Sequence, residues 1–155
     1  MPKQNTRLES EGAEFLVLGH LLVEGLQAYK NYTNMPSYDV LVVNPNVRPN
    51  RIARVSVKSR WRAEAHGFLI NNFDNDFVVV VKLNRGTIPA PAEFFVIPTE
   101  VLVPLRRPGP GWGQMKFSAV PNFQSYLNGW HQISDFLGIS SLADPPVEDD
   151  EASDS

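Results

Sequence analysis

In the segment ARVSVKSRW, residues 53–61, a hydroxyl and an amine stand two positions apart at Ser56 and Lys58, with Arg54 and Arg60 flanking them at the same period. Strand side chains alternate with period two, so these four share one face if the segment is a strand. An earlier β-rich run, YDVLVVN at 38–44, is joined to RIARVSVKS at 51–59 by the turn-forming NPNVRPN, which predicts a hairpin. With the turn centred between positions 47 and 48, paired residues sum to about 95, and Asp39 falls opposite Ser56. One carboxylate, one hydroxyl and one amine then converge at the open end of the hairpin. A slip of one residue would send the two sets to opposite faces, so the register decides whether they meet.

A second carboxylate comes from a helix expected over residues 10–26, SEGAEFLVLGHLLVEGL, with Ser10 as N-cap, Glu11 and Glu14 in the first turns and Gly25 near the stop. At about 100° per residue, Glu14, Leu18, Leu21, Leu22 and Gly25 fall on one stripe, the one a core-facing helix buries. A glutamate there needs a cation, a donor or a metal, or else reaches solvent from the end of the stripe. Leu16 and Val23 lie on the opposite side, as expected of a helix covered on more than one side. Beyond the hairpin, DFVVVVKLN (76–84) reads as a strand buried on both faces and AEFFVIP (92–98) as another, with Thr99 capping a short helical turn through TEVL. After the loop RRPGPGWG, NFQSYLNGWHQISDFLG (122–138) reads as two short helices or one interrupted at Gly129. The fold class is therefore mixed α/β, a β-sheet core flanked by helices.

The 155 residues, 43% hydrophobic, suit one domain, placed at 1–143. With no cysteine, disulfide frameworks and thiolate metal sites are excluded. The longest apolar stretch is broken by His20 and Glu24 and is too short to span a bilayer, which points to a soluble, cytoplasmic protein with no membrane partner. The net charge of −3 conceals a division. Residues 144–155, DPPVEDDEASDS, hold six acids and no base, the pattern of a disordered acidic tail; taking those six from the 17 acids leaves 11 against 14 bases. Six of the bases, Arg48, Arg51, Arg54, Lys58, Arg60 and Arg62, fall in an acid-free run from 48 to 62. That run is either a solvated hairpin whose charges blunt an edge strand or a footprint for phosphates.

The ordered set of Glu14 on the first helix, Asp39 in YDVLVV and S-V-K at 56–58 resembles the PD-(D/E)XK nuclease superfamily. It is most similar to the small proteins that look like Holliday-junction resolvases and intron homing endonucleases, over about residues 9–100. The resemblance implies a restriction-endonuclease-like fold and a DNA endonuclease that uses Mg²⁺ or Mn²⁺. It implies Asp39 as principal metal ligand, Glu14 as a direct or water-mediated one and the Val57 carbonyl as a third, with Lys58 orienting water or steadying charge on the phosphate. Arg48, Arg51, Arg54, Arg60 and Arg62 would hold DNA phosphates, and a homodimer would let two sites meet two strands. Relatives carry Glu or Gln where this chain has Ser56, a poorer cation ligand. The alternative is accordingly a catalytically weakened or inactive nuclease fold that binds nucleic acid or a partner. His20, His66 and His131 form no ligand or triad pattern, Ser37, Ser56 and Ser59 lack a nucleophile-elbow context, and Trp61, Trp112 and Trp130 read as core or interface aromatics.

Overall fold

The computed structural model describes residues 5–33, 37–106 and 113–139; the expected acidic tail and Trp112 lie outside them. Helix α1 (Thr6–Val23) starts four residues earlier than the sequence pattern indicated, because Asn5 and not Ser10 is its cap. The Asn5 carboxamide accepts from the N–H groups of Arg7 (3.1 Å) and Leu8 (3.3 Å), satisfying two of the donors a helix start leaves open. The helix ends before Gly25, whose φ of 83° favours a residue without Cβ.

Five strands form a mixed sheet in the order β1 (Gln27–Lys30), β2 (Val40–Asn44), β3 (Arg51–Arg62), β5 (Phe77–Arg85) and β6 (Glu93–Pro98). β2 and β3 pair antiparallel from Asn44↔Arg51 to Val40↔Val55, the register expected of the hairpin. Extending it by one step sets Asp39 against Ser56. β3 and β5 run parallel, so the chain crosses over between them, and β4 (Gly67–Ile70) in that crossover pairs with β7 (Gly113–Lys116) as a separate two-stranded ribbon. The ribbon is tight: a Cβ at Gly67 would lie 2.3 Å from the Met115 carbonyl oxygen.

Each face of the sheet carries its own core. On one side α1 and α3 (His131–Leu137) cover Val40, Val42, Ala53, Val55, Val79 and Val81; on the other, the ribbon and α2 (Thr99–Leu102) cover Val78, Val80, Phe95 and Ile97. The continuous run of valines in β5 is thus buried on both faces, as its lack of alternation indicated. α1 buries Ala13, Val17 and Leu21, a stripe rotated from the expected one, so Glu14 and Leu18 sit at its edge and Leu22 faces outward. Thr99 caps nothing: Pro98 takes the cap position, and the Thr99 hydroxyl donates instead to Asn75 Oδ1 at 2.5 Å. The 122–138 region resolves into a 3₁₀ turn (Phe123–Tyr126) and α3, separated around Gly129. Among the described residues, no helix is long and apolar enough to cross a membrane.

Candidate active site

The site lies where the hairpin opens. β2 stops at Val40 while β3 runs seven residues past Val55, so beyond this point β3 loses its partner on that edge. Asp39 fills the gap. Its backbone N–H donates to the Val55 carbonyl (2.9 Å) and its carbonyl accepts from Asn31 (2.8 Å), fixing the residue between β1 and β3. Its carboxylate oxygen Oδ2 then accepts from the Val57 N–H at 2.7 Å, taking the place of a ladder bond. In a strand the N–H and C=O of one residue point to the same edge, so the Val57 carbonyl faces this gap too.

Around Asp39 the structure gathers most of the expected group. Ser56, nearly buried, is opposed to Asp39, and Lys58 follows one step along the same face of β3. Glu14 approaches from α1. Burial pushes the Asp39 carboxyl above its ordinary value, against the pull of the Val57 N–H and the positive charges of Lys58 and Lys30. Glu14 is raised as well, by burial first and then by the negative charge of Asp39. Burial lowers the Lys58 ammonium from the usual lysine value, with Asp39 working against that shift. Two half-buried carboxylates, Asp39 raising Glu14, with the partly desolvated Lys58 ammonium near Asp39, make a gap whose charges suit a cation.

The arginines do not form one patch. Arg48 sits in the turn, bonded to Asn50 (2.9 Å), and Arg51 opens β3, so both lie roughly 20 Å or more along the strand from Lys58. Arg54 is engaged by acids: its Nη1 is 3.1 Å from Asp74, its Nε 3.6 Å from Asp76, and its backbone N–H donates to Asp76 at 2.7 Å. Of these arginines only Arg60 and Arg62 lie beyond Lys58, on the stretch of β3 past the end of β2, where they line a cleft of about 680 Å³ with Glu9, Ser59, Trp61 and His66. His20 instead stacks on Trp130, with ring centroids 5.4 Å apart, and has a structural setting.

Sequence reasoning missed the cation beside Glu14. Lys30, on the short edge strand β1, has a side chain only 5% exposed and pairs with Glu11 (2.8 Å) and Glu14 (3.1 Å), between the rings of Phe15 and Tyr32. Burial alone would lower its pKa, but the two carboxylates outweigh that and raise it. Also missed was Glu9, which accepts from the Ser59 hydroxyl at 3.2 Å and is raised by burial. The run QAYK has no strand signature, since only Ala28 within it is buried. The one visible hint is a lysine that follows an apolar helix at the distance of a tight turn.

No family model matches the chain, and no curated protein matches it. Among solved structures it is similar to the bacterial homing endonuclease I-Ssp6803I, at 21% identity over 88% of this chain and 96% of that one, with a TM-score of 0.59. The chain shares the fold of that protein. Within that fold the β2–β3 hairpin and its splay set Asp39, Ser56 and Lys58 at one end of the hairpin, and α1 brings Glu14 within electrostatic reach of Asp39. Their donor set suits a hard divalent cation in kind: two oxygen anions and a backbone carbonyl, with no soft ligand. It is sparse in number, since among the described residues no three His, Cys, Asp or Glu side chains form a cation-holding group.

Proposed function

We propose that the chain is a metal-dependent DNA endonuclease of the PD-(D/E)XK type, hydrolysing phosphodiester bonds. The observation that carries this reading is the Asp39 carboxylate, held between splayed strands by the Val57 N–H and raised by burial beside Glu14 and Lys58. The similarity to a homing endonuclease supports it at the level of fold. Asp39, Glu14 and the Val57 carbonyl would hold Mg²⁺ or Mn²⁺, and Ser56 stands where a further ligand would be. Bound there, the cation would supply charge neutralisation for the phosphate and a more acidic water. Lys58, whose ammonium burial lowers from the usual lysine value, positions the attacking water and stabilises charge on the phosphate oxygens. Arg60 and Arg62 seat the neighbouring phosphates by charge-assisted hydrogen bonds without reading bases. Arg48 and Arg51 would contact the backbone further along the duplex, whereas Arg54 has first to leave Asp74 and Asp76.

One observation favours a second reading, a nuclease fold that binds DNA or a partner without cutting. Ser56 brings no negative charge to a position directly opposite Asp39, which weakens the hold on a cation. Incubating the protein with branched, nicked and linear DNA in Mg²⁺ or Mn²⁺ separates the two and also reads any selectivity for DNA structure. Lys58→Ala should abolish cleavage while reducing the salt slope of DNA binding by only about 0.9, the share of one phosphate contact. Cleavage that survives Lys58→Ala, or binding with no cleavage of any substrate, would overturn the endonuclease reading.

A further inference from the structure

Helix α1 is apolar on both sides. Opposite the buried stripe of Ala13, Val17 and Leu21 lies an outward arc of about 120° that holds Leu8, Phe15, Leu16, Leu22 and Val23 and no charged residue. All five are between 43% and 87% exposed. Gly12 and Gly19 complete the arc, and a Cβ built at either would meet no atom of the chain within 4 Å. The fold itself therefore gives no reason for two glycines in a helix interior, where they disfavour the helix relative to alanine.

From this face we infer that a second copy of the chain docks on α1, as an antiparallel helix pair about a two-fold axis between Phe15 and Leu16. Apart from Leu22, the sequence of the arc is its own mirror about that axis. An antiparallel partner sets Leu8 against Val23, Gly12 against Gly19 and Phe15 against Leu16, so at these positions large side chains meet large ones and the glycines meet each other, while Leu22 at the arc's margin falls level with Glu9. Self-complementarity of this kind is what an isologous interface requires, and a foreign partner would not impose it. The glycine pairs lie on either side of the axis, where absent Cβ atoms let the two backbones approach and the central Phe15 and Leu16 side chains spread into the notches. The five apolar side chains offer on the order of 500 Å² per copy, most of the ~800 Å² per partner of a standard interface. Tyr32, 77% exposed and sharing the Lys30 ammonium with Phe15, extends the patch. Glu14 lies outside the arc, so the docked face leaves the hairpin gap open, and the inference does not depend on the chemistry performed there.

Sedimentation velocity of the full chain over a concentration series reads the mass. The expected species has twice the 17.4 kDa of one chain. Leu16→Glu and Gly19→Glu, both pointing into open space, should weaken association by on the order of 100-fold while the far-UV circular dichroism is retained. Because the chain has no cysteine, a mixture of Gly12→Cys and Gly19→Cys proteins tests the geometry directly. Oxidation should link the two variants to each other faster than either to itself, since the positions face each other only in the antiparallel pair. A monomer at about 100 µM, an assembly whose mass ignores both charge substitutions, or a mixture that cross-links no better than the separate variants would each overturn the inference.

Discussion

Replacing Asp39 with asparagine should make the metal-free protein more stable and the metal-loaded protein less so. In the native chain the ionised Asp39 is disfavoured chiefly by burial, and its charge also raises Glu14. Opposing this are the Val57 N–H at 2.7 Å and the charges of Lys58 and Lys30. Asparagine keeps an acceptor for Val57 and removes only the charge, and the raised carboxyl shows that the charge is the unfavourable part. A carboxyl raised in the folded state holds more protons than the unfolded chain, so stability falls as pH rises from about 3.9 through the raised value. The variant lacks that fall, and at neutral pH in EDTA it should gain about 1 kcal/mol, the usual yield of relieving a functional site. For a chain of this size that is a Tm higher by about 3 °C. Saturating Mn²⁺ should act oppositely: at a hundredfold excess over Kd a bound cation adds about 2.7 kcal/mol, or about 8 °C, to the native protein and almost nothing to the variant. Differential scanning calorimetry in EDTA and in Mn²⁺ should thus show the order of the two Tm values inverting. A variant less stable in EDTA refutes the electrostatic account of the gap, and equal Mn²⁺ shifts refute Asp39 as the principal ligand.

Three further substitutions probe the surroundings. Ser56→Glu should tighten Mn²⁺ binding by tenfold or more in calorimetric titration while lowering the metal-free Tm, because it adds a third carboxylate to a nearly buried position; unchanged affinity would mean that no cation sits opposite Ser56. Lys30→Met leaves Glu14 without its cation 3.1 Å away and should cost about 2 kcal/mol in urea denaturation, below the range for a fully buried pair because Glu11 is half exposed. Since the Lys30 pKa is raised, that contribution is fully present below about 10.4, so the deficit should stay level from pH 7 to 9, shrinking on the acid side as Glu14 is protonated and on the alkaline side as Lys30 loses its proton; a deficit that varies between pH 7 and 9 would contradict the pairing. Gly67→Ala drives a methyl group into the Met115 carbonyl and should destabilise by about 2–3 kcal/mol, read as a lower urea midpoint, whereas a neutral outcome would show that β4 and β7 part freely.

The parts legible in the sequence are those written into short stretches. The β2–β3 register could be read because a seven-residue turn segment fixed its centre and one face of each strand had to be apolar, as Val40, Val42, Ala53 and Val55 are. The doubly buried β5 announced itself by five apolar residues without alternation. Strands β1, β4 and β7 are four residues each, and their pairing energy comes from partners as far away as β7 is from β4, so no local pattern marks them. Caps failed for a similar reason. Ser10 and Thr99 are the residue types that cap helices, but Asn5 lay one turn upstream with an equally good carboxamide, and Thr99 found a buried partner in Asn75.

The site divides along the same line. Asp39, Ser56 and Lys58 belong to one hairpin, and a register suffices to bring them together; Lys30 and Glu9 reach the group through the packing of α1, which no spacing along the chain specifies. That packing also explains why the stripe assigned to α1 was rotated. A helix with one apolar side declares its buried face, but α1 is apolar on two, and the pattern averaged over both pointed between them. Leu22, expected in the core, and Leu16 and Val23, which blurred the periodicity, all lie on the outward arc. The same residues that misdirected the reading of the fold are therefore those that mark a face awaiting a partner, because a hydrophobic pattern records every surface a helix buries, whether inside its own chain or against another.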